Sequence, residues 1–148
     1  MQSTLERPVP APAPFAVAVE TGRGARITGR VLSGLAIAFL AVDALAKVLM
    51  LQPVVEGAEL LGYPPATMLP LGVTLLVGTL LYAAPRTAVL GAILLTGYLG
   101  GAVATHVRIL DPLFSHVLFP VYLGAFIWGG LLLRDARLRA LLPWRARH

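Results

Sequence analysis

Residues 31–51 read VLSGLAIAFLAVDALAKVLML. This run decides the fold class, because it stays apolar for the width of a bilayer while carrying Asp43 and Lys47. At ~1.5 Å of rise per residue, about 20 residues cross ~30 Å of hydrocarbon. Inside lipid every backbone polar group must find an internal partner, so such a run is a helix. Strands of a membrane barrel would be about half as long and would alternate in polarity.

Working outward, three more apolar stretches follow, at 66–84, 87–107 and 113–133. Together they predict an all-α, four-helix transmembrane bundle spanning residues 28–134. The rest of the chain agrees. Hydrophobic residues make up 57% of its 148 positions and charged residues 13%, against about 25% charged in soluble domains. The length suits one such unit. Residues 1–27 place prolines at 8, 10, 12 and 14, which predicts an extended, disordered tail rather than a helix. A cleaved signal peptide does not fit, since the first long apolar run begins only near Val31.

The links carry turn signals. Residues 52–65 contain Gln52-Pro53 and Gly62-Tyr63-Pro64-Pro65, so the second helix is expected to begin near Pro65. Pro85-Arg86-Thr87 is short enough to make the second and third helices antiparallel neighbours. Asp111-Pro112 reads as an N-cap followed by proline in the first turn of the fourth helix. Pro70 and Pro120 read as kinks in their helices.

Orientation follows from the arginines. Four lie before or just inside the first helix, five follow Leu133, and Arg86 sits in the second link. The other two links hold Glu56, Glu59, Asp111 and only Arg108 beside them. Positive residues stay in the cytoplasm, which predicts both termini inside (N-in/C-in) and residues 135–148 as a basic cytoplasmic tail. The net charge of +5 therefore points to lipid headgroups, not to nucleic acid. With no cysteine, thiol chemistry and iron–sulfur clusters are excluded.

Chemistry is expected in the outer half. Asp43 and Lys47 are one turn apart on one face of the first helix, in the favourable acid-first order. A charge at mid-bilayer costs roughly 2.5–3.5 kcal/mol on insertion scales, so the pair should face the bundle interior. The topology brings His106 and Arg108 of the third helix and Asp111 and His116 of the fourth to the same depth. Tyr98 and Tyr122 lie deeper, where either hydroxyl could extend a polar path toward Asp43. Gly97, Gly100 and Gly101, with Gly34, Ala38, Thr74 and Gly78, read as helix-packing surfaces. A metal site on His106, His116 and Asp111 is a weaker reading, and no histidine lies deep enough to favour haem.

Several segments resemble DoxX-like integral membrane proteins: Asp43-Ala-Leu-Ala-Lys47, Leu61-Gly62-Tyr63-Pro64, Pro85-Arg86-Thr87, Thr96-Gly97-Tyr98-Leu99-Gly100-Gly101 and Ser115-His116-Val117-Leu118-Phe119-Pro120. The resemblance covers roughly residues 29–142. It implies a four-helix protein of the bacterial inner membrane. The family name comes from a small subunit of a terminal quinol oxidase, and relatives are linked to thiosulfate–quinone oxidoreduction. Three readings follow. The chain holds a quinone or other isoprenoid lipid as a redox-accessory protein, or it is a structural subunit or homo-oligomer with no ligand, or it is a small proton-coupled transporter. No residue stands out as catalytic, and an enzyme is the less favoured description.

The orientation is directly testable because the chain has no native cysteine. In spheroplasts, a membrane-impermeant maleimide should label Glu56→Cys and spare Arg86→Cys. The reverse pattern would invert the topology.

Overall fold

The computed structural model describes residues 22–141. Most of the expected N-terminal tail (1–21) and the end of the basic tail (142–148) lie outside the described residues. The rest is helical, with no strand among the described residues. Four helical spans are long and apolar enough to cross a membrane: Arg23–Val48, Pro65–Ala83, Ala88–Arg108 and Leu113–Arg134.

The first span is one helix, α1 (Arg23–Val48). It starts eight residues before Val31, so 23–27 belong to a helix and not to the tail. Hydropathy marks where lipid begins, whereas Ala and Arg propagate a helix beyond it. At 26 residues α1 is about 39 Å long, more than the hydrocarbon requires. The link that follows is not irregular either. It contains α2 (Gln52–Leu60), opened by Pro53 in its first turn, and then a 3-10 turn at Pro65–Thr67. Helix α3 (Met68–Ala83) and helix α4 (Ala88–Arg108) follow, antiparallel across the short link at Arg86.

The fourth span is broken. A π-turn covers Leu113–Val117, and α5 (Phe119–Arg134) starts beyond it. Pro120 has no N–H to offer the His116 carbonyl, which interrupts the α-helical ladder there. Pro120 thus interrupts its span as expected, whereas Pro70 stands in the opening turn of α3. The expected Asp111 cap is also corrected. Pro112 holds the cap position, no side chain caps the turn, and the Asp111 carboxylate is engaged elsewhere. A last short helix, α6 (Ala136–Leu141), follows α5.

Helix α1 packs on α3 and α5, and α4 packs on the same two. Helices α1 and α4 thus occupy opposite corners, with no close backbone approach between them among the described residues. The shared core runs through Ala36, Leu40, Leu75, Leu95, Ile127 and Leu131. At the end where α1 begins and α5 finishes, backbones come very close. A Cβ on Gly91 would lie 2.2 Å from the Tyr82 amide nitrogen, and one on Gly130 would lie 2.5 Å from Ser33 Oγ. Tyr82 is fully buried there. Its hydroxyl donates to the Ile127 carbonyl and accepts from Ser33, both at 2.8 Å, so one ring ties α1, α3 and α5.

The glycines expected to pack behave differently. Gly34, Gly97, Gly100 and Gly101 meet nothing within 4 Å of an added Cβ. Ala38 and Thr74 are exposed, while Gly78 does pack, against Leu95. Small residues allow close approach but do not say which side of the helix uses it.

At the opposite end, α1, α2 and α4 close with the same motif. The amides of Leu51, Tyr63 and Asp111 reach back to the carbonyls of Ala46, Ala58 and His106. The turn residue has positive φ in each: Met50 (50°), Gly62 (75°) and Leu110 (59°). Only Gly62 is relieved of the Cβ clash, so Met50 and Leu110 each hold roughly 1–2 kcal/mol of strain.

The contrast between glycines is testable by thermal unfolding in detergent. Gly91→Ala should cost about 1–3 kcal/mol, because the backbone of Tyr82 cannot yield. Gly100→Ala should be neutral or slightly stabilising, since alanine favours a helix.

Candidate functional site

The end closed by the three turns encloses a cavity of about 510 Å³. Both diagonal helices and α3 and α5 line it, and α2 lies over it. Its walls are largely apolar, from Leu40, Leu71, Leu99 and Leu123, with Val54 and Ala58 contributed by α2. Its polar groups are few: Asp43, Lys47, Tyr63, Tyr98, Thr105 and His106. Ligand sites are commonly built this way, with a few oriented polar groups in an apolar chamber.

Asp43 and Lys47 form an ion pair along α1. Their side chains are 34% and 17% exposed, so the pair is neither sealed nor free in water. Helical spacing brings them together, and the diagonal gap between α1 and α4 gives them space to face. The Lys47 ammonium has three N–H donors, of which the Asp43 carboxylate takes one. Across the cavity, Tyr98 and His106 project from α4.

His106 is held from behind. Its Nδ1 lies 2.6 Å from Asp111 Oδ2, within the closing turn of α4. That contact fixes the ring and leaves Nε2 as an acceptor when the ring is neutral or a donor when protonated. His116 stands edge-on to His106, with ring centres 5.8 Å apart, and its own Nδ1 bonds Ser115 Oγ at 2.8 Å. Among the described residues, no group of three or more metal-ligating side chains comes together.

The seven sequence-derived candidates therefore divide. Asp43, Lys47, Tyr98 and His106 line the cavity. Asp111 and His116 support His106 from outside it. Arg108 turns away, donating to the Leu61 carbonyl and lying 5.9 Å over the Tyr63 ring. Tyr122, the alternative polar partner, faces outward at 44% exposure.

Three contributors were not foreseen. Tyr63 enters the cavity, and its hydroxyl pairs with Thr105 Oγ1 at 2.8 Å, tying the segment after α2 to α4. The α2 wall was missed because Pro53 and the Gly62-Tyr63-Pro64-Pro65 run after it read as a loop. The spacing of Val54, Ala58 and Leu61 was the available signal. Phe39 of α1 and Phe119 of α5 also line the cavity and meet edge to face at 5.2 Å. Both are about two-fifths exposed (45% and 40%).

The model of the DoxX-like family matches residues 31–130, which takes in the residues lining the cavity, the two middle spans and most of the first and fourth. No curated protein and no solved structure matches the chain.

The ion pair makes a direct stability prediction. Asp43→Asn leaves the ammonium of Lys47 without its counter-charge and should cost about 1–3 kcal/mol, read as a lower melting temperature in detergent. Adding Lys47→Met should restore most of that loss. No change in the single variant would show that the pair does not contribute to stability.

Proposed function

Taking as premise that the chain belongs to the DoxX-like family of membrane proteins, we propose that it holds a quinone or a similar isoprenoid lipid in the cavity beneath α2, as a redox-accessory protein of the bacterial inner membrane. One observation carries this reading: a cavity of about 510 Å³ that joins an apolar chamber to the ion pair Asp43–Lys47 and to His106.

Such a ligand has a polar ring with carbonyl or hydroxyl oxygens and a long apolar tail. Carbonyl oxygens need donors, and the spare N–H groups of Lys47 and the Tyr98 hydroxyl can supply them. His106, held by Asp111, can accept a proton from a hydroxyl form or return one to it. Asp43 holds the Lys47 ammonium in place, acting as a positioning residue. The tail would lie against the leucines and leave past Phe39 and Phe119, which line the cavity and are partly exposed. Gly97 and Gly101, which bring no side chains to the cavity wall, preserve the room.

An alternative is an accessory subunit in which the ion pair only holds the bundle. The two readings differ in one binding measurement. Reconstituted protein should retain a ubiquinone or menaquinone analogue, and the Asp43→Asn/Lys47→Met double variant should remain folded and lose it. Gly101→Leu, which fills the chamber and leaves every polar group, should weaken retention by at least about tenfold. Undiminished retention in both variants would remove the cavity reading and leave the accessory one.

A further inference from the structure

The polar groups of the cavity bond mostly to one another. Asp43 pairs with Lys47, and Tyr63 with Thr105, whose hydroxyl goes on to the Gly101 carbonyl. All five residues line the cavity. Among the polar side chains there, His106 alone is bonded to a residue beyond the wall. Its Nδ1 contact is Asp111, which does not line the cavity. Asp111 sits past the end of the span at Arg108, where its amide bonds the His106 carbonyl. The two side chains are 22% and 24% exposed. The exposed part of Asp111 therefore meets the medium at the end of the bundle, while His106 meets the cavity.

The pair bridges two environments, and its chemistry suits proton exchange. A carboxylate only accepts, so Nδ1 carries the ring proton and Nε2 keeps a free lone pair. A hydroxyl at Nε2 can pass its proton to the ring: the O–H bond breaks and an Nε2–H bond forms. The Nδ1 proton then moves to Asp111 Oδ2, and Asp111 releases it to water. The ring is neutral before and after, and a proton entering by the reverse steps restores the first tautomer. The surrounding groups offer no such route. The Lys47 ammonium has no lone pair, Asp43 is bonded within the cavity, and the Tyr63 chain ends on a backbone carbonyl. Tyr98, also on α4, makes no bond beyond the wall, and α3 and α5 bring no titratable side chain to it. On the outside, Arg108 turns to the Leu61 carbonyl, and His116 stands edge-on to His106 but bonds Ser115.

We infer that His106 and Asp111 form the proton path between the cavity and the medium, serving a ligand with a ring hydroxyl. This rests on the cavity holding such a ligand. It adds the direction of exchange, which is the end of the bundle closed by α2 and not the end that carries the arginines.

The test uses the full chain in mild detergent with a farnesyl-tailed 4-nitrophenol, which is coloured only as the phenolate. Equilibrium binding and the rate of colour change after a pH jump are the two readouts. The parent should bind the probe and ionise it rapidly. Asp111→Asn keeps the size of the side chain but cannot take up a proton. It should bind within about threefold of the parent and ionise the probe at least about tenfold more slowly. Asp111→Glu returns a carboxylate and should recover most of the rate, which a merely structural role would not require. Glu59→Gln, which removes an exposed acid of α2 at the same end, should stay within about twofold of the parent. An unchanged rate in Asp111→Asn, an equal loss in Glu59→Gln, or no recovery in Asp111→Glu would overturn the path. A parent that retains the quinone analogue but not the nitrophenol would also overturn it and leave the cavity reading standing. A parent that retains neither would remove the cavity reading itself, and the path with it.

Discussion

The Tyr82 knot is the contact on which the rest of the bundle depends. One buried hydroxyl joins α1 and α5 to α3, and Gly91 lets α4 lie directly on the same tyrosine's backbone. In lipid there is little hydrophobic force to drive helices together, so close backbone approach and buried hydrogen bonds must hold them. Both act at the Tyr82 end, and Gly72 brings α3 against the backbone of Val48 at the other. The other end lacks such contacts between its diagonal helices, and the cavity lies there. The charged pair of α1 then faces a chamber and not a packed neighbour, which is how Asp43 and Lys47 remain in a membrane span without being sealed inside protein.

Much of this was legible in the sequence. The four spans follow from length and hydropathy, since lipid permits few alternatives to a helix. The ion pair follows from a spacing of four. The depth of His106 follows from counting crossings. What escaped the sequence shares one physical cause. Hydropathy reports the environment of a residue and not its backbone state. It therefore started α1 too late, at Val31, missed α2 behind Pro53, and ran the fourth span straight through Leu113–Val117. The glycines show a second limit. Gly91 and Gly100 look alike in the sequence, yet one is pressed against Tyr82 and the other touches nothing. Which face of a helix is used depends on its partners' positions, and no single helix encodes that.

The candidate site was only half visible for the same reason. Charged residues in apolar runs announce themselves, so Asp43, Lys47 and His106 were found. Tyr63, Phe39 and Phe119 are ordinary residues at ordinary positions. They become parts of a chamber because α2 folds over it and because the π-turn sets where α5 begins. Arg108 carried the right charge at the right depth and still turned to the Leu61 carbonyl. Depth places a residue along the membrane normal but not around the bundle.

Four helices joined along four edges and unjoined across the α1–α4 diagonal have the mechanics of a hinged frame. Such a frame can shear, widening one diagonal as it narrows the other, while every edge keeps its packing. What resists this is the Tyr82 hydroxyl, which joins α3 to α5 across the other diagonal, and at the cavity end the Tyr63–Thr105 hydrogen bond and the reach of Arg108 to Leu61. The chamber's rim is thus tied by a few polar contacts distinct from the packed seams that hold the helices together.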